Sequence, residues 1–176
     1  CLHIDALSGA AGNMFVAALL DAGLSRRALD AGLAGLGLDF KLTVKRVKRG
    51  ALAARYLDVR VPKKDANGRV RYVSGNEPAR PGQRPGHVHG RSYAQIRALL
   101  AKASLSAGVR DRAQAIFEAL ARAEAHVHGT KLEAVHFHEV GAVDAIVDVT
   151  AAAVGLEALG IERVTCSAVA LGQGSV

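Results

Sequence analysis

The hydrophobic pattern of this chain switches between a period of two and a helical period, and the switch after its alternating middle divides it. Phe40, Leu42, Val44 and Val47 stand against Lys41, Thr43, Lys45 and Lys48. After a turn at Gly50, Leu57, Val59 and Val61 alternate with Asp58 and Arg60, and Pro62 follows. A period of two sends successive side chains to opposite faces, so both runs predict half-buried strands. Their short connection makes them an antiparallel pair with a basic polar face. From Ser92 the spacing becomes helical. Ile96, Leu99 and Leu100 form one apolar face. Ser106 caps a long helix to about His126, with Val109, Ala113, Ile116, Phe117, Leu120 and Ala123 on its face, and Gly129 stops it. A further helix runs from Asp144 to Leu159, ended by Gly160, and Val164 to Leu171 reads as a last strand.

Ahead of the alternating ribbon, Leu2 to Ala6 reads as a strand and Ser8 to Gly12 as a small-residue loop. A helix from about Asn13 to Ala22 follows, stopped by Gly23, then one capped by Ser25 that carries Leu29, Leu33 and Leu36. Between the two periods, residues 63–90 hold three of the 4 prolines and five of the 19 glycines, the composition of a loop. The expected organisation is a strand–loop–helix with a strand pair over 1–62, a flexible basic linker over 63–91, and a helical half with a final strand over 92–176 that co-folds with 1–62. The fold class is α/β of the α+β kind: a small mixed sheet with packed helices, plus a helical C-terminal half. Half of the residues are hydrophobic but only 4% are aromatic, with no Trp. The core must therefore be built from Ala, Val, Leu and Ile.

Cys1 and Cys166, at opposite ends, make no disulfide framework, and Cys166 reads as a small core residue. The longest weakly polar stretch, Ala145 to Leu156, is interrupted by Asp148 and Thr150 and is shorter than a membrane span. With no secretory leader visible, a cytoplasmic location is expected. The chain opens directly on a strand and stops just after one, which reads as a fragment of a longer protein. The net charge of +7 is uneven: residues 41–110 hold 17 Lys and Arg against 3 Asp and Glu. That middle would attract phosphate or nucleic acid, and a solvated ribbon explains it equally well. The three tyrosines, Tyr56, Tyr72 and Tyr93, are scattered, which argues against a stacking platform for nucleic acid.

The densest chemistry is His136-Phe137-His138-Glu139, followed by Asp144 and Asp148. In an extended segment His136 and His138 point the same way, and Glu139 joins them only if the chain turns, as Gly141 would allow. Asp144 and Asp148, four apart, share a helix face. Two imidazoles with one or two carboxylates suit Zn, Fe, Ni or Mn. The plainer alternative is that Asp144 caps its helix and the histidines make ordinary hydrogen bonds. Two more His-x-His pairs occur. His87 and His89 lie in the proline-rich loop, where they suit mobile metal capture. His126 and His128 lie at a helix end, where capping is the simpler account. A second candidate is the turn after Asp5, where Ser8, Gly9, Gly12 and Asn13 would offer backbone N–H groups to an anion. It has neither a Walker pattern nor G-x-G-x-x-G, and a tight structural turn explains it as well.

Three segments together resemble the LarC family of nickel insertion proteins, which mature the nickel-pincer cofactor of lactate racemase. They are His3-Ile4-Asp5-Ala6-Leu7-Ser8-Gly9-Ala10-Ala11-Gly12-Asn13-Met14, Ala125-His126-Val127-His128-Gly129, and the run from Val135 to Asp148. The ending from Cys166 to Gly174 also fits. The resemblance implies nickel insertion into pyridinium-3,5-bisthiocarboxylic acid mononucleotide, a carbon–nickel bond, and a need for CTP with manganese or magnesium. It makes this chain the N-terminal part, with the CTP site on the missing C-terminal part. The implied partners are that part, the nucleotide-derived substrate, lactate racemase or its maturation proteins, and a second copy in a homo-oligomer. With that substrate, the residues suggest that His136, His138 and Glu139 hold or relay nickel, with His87 and His89 as further candidate metal donors and Asp144 or Asp148 as a further ligand or the base that takes a ring proton. Asp5 is a further catalytic candidate, and Ser8, Gly9, Gly12 and Asn13 are the candidates to hold the nucleotide. Two departures stand out: Asn13 replaces the family's acid, and only Gly86-His87-Val88-His89-Gly90 remains of a longer His-rich tract. The rival readings of the same residues are a divalent-metal hydrolase or isomerase and a non-catalytic phosphate- or nucleic-acid-binding module.

Overall fold

The computed structural model describes residues 1–7, 9–65, 67–75, 90–137 and 140–169, with the backbone alone at Arg49. The helix with the most buried residues lies at the centre. This helix, α5 (Val143–Ala158), buries Ile146, Val147, Ala151, Ala153 and Val154. Helices α1 (Gly12–Asp21), α2 (Arg26–Leu33) and α4 (Ala107–His128) all pack on it. A helix apolar around most of its circumference is stable in water only when covered on most sides, and these three elements do that. A further helix, α3 (Tyr93–Lys102), packs on α4. Small residues set the close approaches. A Cβ on Gly32 would lie 2.5 Å from Val154 Cγ1, and one on Gly155 would lie 2.6 Å from Leu19 Cδ1.

The serine caps expected from the sequence are present. Ser25, Ser92 and Ser106 each accept a backbone N–H from three residues on, and Ser92 with Gln95 forms a full capping box. Helix α4 ends at Gly129 in the left-handed conformation, φ 61°. Its start is tied to α5, where Ser106 Oγ donates to Glu157 Oε1 at 2.6 Å. That places a carboxylate at the positive end of a 22-residue helix.

Among the described residues the strands form two sheets rather than one mixed sheet. β1 (Leu2–Ile4) pairs in parallel with β5 (Val164–Cys166), matching Ile4 to Cys166. β2 (Lys41–Arg49), β3 (Leu52–Lys64) and β4 (Val70–Ser74) form an antiparallel sheet in that order. Leu57 and Val59 face α1 and are buried, with Leu42 and Val44 opposite them on β2.

Strand β4 lies within the stretch read as a loop. Asp65 Oδ1 accepts the N–H groups of Asn67 and Arg69, both at 2.9 Å, and Gly68 takes φ 75°. That tight turn reverses β3 onto β4. Pro62 does not end β3. The last β2–β3 pair is Lys41 with Arg60, so Pro62 sits where β3 has a neighbour on β4 alone and its missing N–H costs little. Cys166 is exposed rather than part of the core, because β5 is a strand of a two-stranded sheet.

The close approaches give a direct test. A Cβ on Gly35 would lie 2.1 Å from the backbone oxygen of Ser104, which cannot swing away as a side chain would. Gly35→Ala should lower unfolding stability by about 2–3 kcal/mol in urea titration, and an unchanged midpoint would contradict this packing.

Candidate functional site

The acidic pair on α5 sits against the start of α1 and the end of β4. Asp144 lies in the first turn of α5, and Asp148 lies one turn on, facing the same way. Asp148 is only 9% exposed. The first turn of α1 has no side-chain cap and no acid of its own. The backbone N–H of Asn13 bonds to the Asp148 carboxyl instead. Gly12 is the contact that permits this, because a Cβ there would lie 2.8 Å from both Cβ and Oδ2 of Asp148. The anion at this helix N-terminus is thus the chain's own carboxylate.

Asp148 Oδ1 is buried with no hydrogen-bond partner. An unpartnered carboxylate oxygen in a dry setting raises the cost of ionisation. Burial pushes the Asp148 carboxyl up to about 7, the charge of Asp144 pushes the same way, and the Asn13 N–H opposes them. Asp144 is also raised, chiefly by burial, while its own and Ala145's backbone N–H groups pull it down. Its Cβ lies against Gly75, where an added Cβ would sit 2.6 Å away. Asn13 contributes twice: its backbone N–H serves Asp148, and its side-chain Nδ2 donates to the Leu57 carbonyl at 3.3 Å. An aspartate here could not make that second bond.

Asp5 is exposed at the end of β1. Gly9, φ 83°, closes a turn by donating its N–H to the Ala6 carbonyl at 3.0 Å. Ser8, His87, His89, His138 and Glu139 lie outside the described residues. His136 is exposed between the buried Val135 and Phe137, which is the expected alternation. Its backbone is bridged to Ser92, and the Phe137 N–H donates to the Arg91 carbonyl at 3.2 Å. His136 lines a pocket of about 180 Å³ with Glu124 and His128, and neither Asp144 nor Asp148 lines that pocket. The histidine and the acids expected to act together therefore line different places. Among the described residues, no three His, Cys, Asp or Glu side chains converge closely enough to enclose an ion.

The sequence reading missed three features of this region. Glu124 and His128 are an i,i+4 pair whose spacing alone would have shown it. Gly75 lies in the proline- and glycine-rich stretch and carries no local sign of its contact with Asp144. Asp58, in an alternating strand, reads as solvent-facing, yet it is 9% exposed and accepts from Ser74 Oγ.

The outer face of the antiparallel sheet carries Lys41, Lys45, Arg60 and Lys64, with Tyr56 and Tyr72 among them. The Lys41 ammonium stands 4.0 Å over the Tyr72 ring. The pairs Lys41–Arg60, Arg46–Arg55 and Lys63–Arg71 set like charges directly opposite each other, an arrangement that costs stability.

A family model described as "Nickel insertion protein" matches residues 2–176, and the chain belongs to that family. A relative from Desulfitobacterium hafniense, named pyridinium-3,5-bisthiocarboxylic acid mononucleotide nickel insertion protein, is 38% identical over 99% of this chain and 38% of its own length. A relative from Roseiflexus castenholzii, also named for nickel insertion, is 42% identical over 99% of this chain and 39% of its own length. The chain thus spans about two fifths of the curated relatives it matches. No solved structure matches it.

The raised Asp148 carboxyl makes a stability prediction with a definite sign. Between about pH 4 and about pH 7 the folded state holds a proton that the unfolded chain releases. Stability from this group is therefore full below pH 4 and is lost as pH rises through about 7. Asp148→Asn should match the parent near pH 4 and exceed it by on the order of 4 kcal/mol at pH 8. Parallel pH profiles for the two proteins in chemical denaturation would contradict the burial of this charge.

Proposed function

We propose that this chain is the N-terminal part of an enzyme that inserts nickel into pyridinium-3,5-bisthiocarboxylic acid mononucleotide, and that Asp148 takes the ring proton which nickel replaces. Family membership and the name of the Desulfitobacterium hafniense relative support the substrate. The observation that carries the reading is a buried carboxyl with an unpartnered oxygen, pushed up to about 7 beside a second acid. Forming a carbon–nickel bond breaks a ring C–H bond. The electron pair stays on carbon to bind the metal, and the proton must leave. A base acts best when its pKa lies near the working pH, so that it is available ionised and holds the proton well. Burial, with the charge of Asp144 beside it, puts the Asp148 carboxyl in that range, and the Asn13 N–H keeps it from rising further. The nickel is cargo, bonded in the product to the ring carbon and to the two thiocarboxylate sulfurs.

In this reading CTP and its manganese or magnesium act on the C-terminal part, and the product serves lactate racemase. The place of reaction is the cytoplasm. Asp5, Ser8, Gly9, Gly12 and Asn13 are the residues proposed to meet the nucleotide. His138, Glu139, His87 and His89 are proposed nickel donors alongside His136.

The test is insertion by the full-length protein carrying Asp148→Asn. The rate should fall by about 10²-fold or more. The parent rate should rise with pH through about 7 as Asp148 ionises, and the variant should lose that rise. Parent-like turnover by the variant would remove Asp148 from the chemistry.

A further inference from the structure

The last turn of α4 and the segment that follows it make a second place where a cation can be held. Glu124 and His128 are four residues apart, so both project from one face of the helix. His128 Nε2 lies 3.1 Å from Glu124 Oε2. Both side chains are open to solvent, at 62% and 40% exposure, so an ion can reach them. An exposed pair of this kind contributes only a few tenths of a kcal/mol to a helix, and stability alone gives it little purpose. It stands at the C-terminal end of a 22-residue helix, where the negative end of the helix dipole favours a cation.

The pocket lined by this pair is lined by His136 as well. Val135 and Phe137, both buried, flank His136, and its backbone is bridged to Ser92. The third donor is therefore carried on fixed backbone rather than on a free loop. Eight residues beyond it in sequence lies Asp144, at the start of α5.

We propose that Glu124 and His128 form the entry site at which a hydrated nickel ion is first held, with His136 as the donor that takes the ion onward. The identity of the ion rests on the nickel-insertion reading. An imidazole and a carboxylate are donors that nickel accepts. Two protein donors leave most of the coordination shell to water. The arrangement is open, since no three such side chains enclose an ion among the described residues. An enclosed site would retain its ion, whereas an open pair releases it to the next donor. This gives His128 a role separate from capping the helix, which Gly129 already ends.

The test adds nickel chloride to the full chain with isotope-labelled histidines. Sub-stoichiometric nickel should broaden the His128 and His136 imidazole signals before any change at His3. His128→Gln should weaken binding about tenfold and raise by a like factor the nickel needed to broaden the His136 signal. His126→Gln, which alters the same helix end but not the pocket lining, should leave both unchanged. In full-length protein, His128→Gln should raise the nickel concentration for half-maximal insertion with kcat unchanged. Equal nickel affinity in the parent and His128→Gln, or an unchanged half-maximal concentration, overturns the entry site. Failure of the acid/base reading has a different signature, because Asp148→Asn then inserts nickel at the parent rate while binding at His128 is untouched.

Discussion

Burial of α5 is the constraint on which the rest of this structure depends. Ile146, Val147, Ala151, Ala153 and Val154 can leave water only if helices cover them from several directions. Three helices do so, and glycines let two of them come close: Gly32 meets Val154, and Gly155 meets Leu19 and Leu24. Each of these contacts replaces a methyl group by the neighbour's own side chain, so the packing has little room for substitution. The same helix carries Asp148 and Thr150 into this dry setting. Thr150 is satisfied within the helix, its Oγ1 donating to the Ile146 carbonyl at 2.8 Å. Asp148 is not, and reaches across to the start of α1.

That difference separates structural polarity from chemical polarity in one helix. A buried hydroxyl with an internal acceptor costs little and does nothing further. A buried carboxyl with one oxygen bonded and the other unpartnered is costly at neutral pH. The fold keeps it by building the start of α1 around it, with a glycine for clearance and a backbone N–H for partial compensation. Asn13 fits this arrangement better than an acid would. It avoids a third carboxylate beside Asp144 and Asp148, and its amide satisfies the Leu57 carbonyl.

Much of the fold was legible because its signals are local. Ser25, Ser92 and Ser106 begin helices where capping chemistry says they should, and Gly129 ends one. The alternation over 40–61 was enough for two strands and their antiparallel pairing. What escaped depends on partners far away in sequence. The stretch around Val70 becomes β4 because β3 continues past Pro62 to receive it. The division into two sheets follows from β1 finding β5 across more than 160 positions. At the site, the pair Asp144 and Asp148 was legible from helical spacing, but the cap on α1 was not, since nothing near Gly12 names its partner. His136 was read with those acids because they are neighbours in sequence, and the fold places it in a pocket with α4 instead.

The β1–β5 pair has a consequence for the order in which this molecule is made. Leu2, His3 and Ile4 wait for Val164, Thr165 and Cys166, and the Ala6 N–H waits for Ser167 Oγ. Helix α1 likewise waits for the carboxylate of Asp148. On a ribosome the residues of β1 emerge well before their partners and are thus among the last of this chain to find their places. The acid site cannot form early: until α5 has been synthesised and buried, Asp148 has no dry setting and keeps the proton affinity of an ordinary carboxylate.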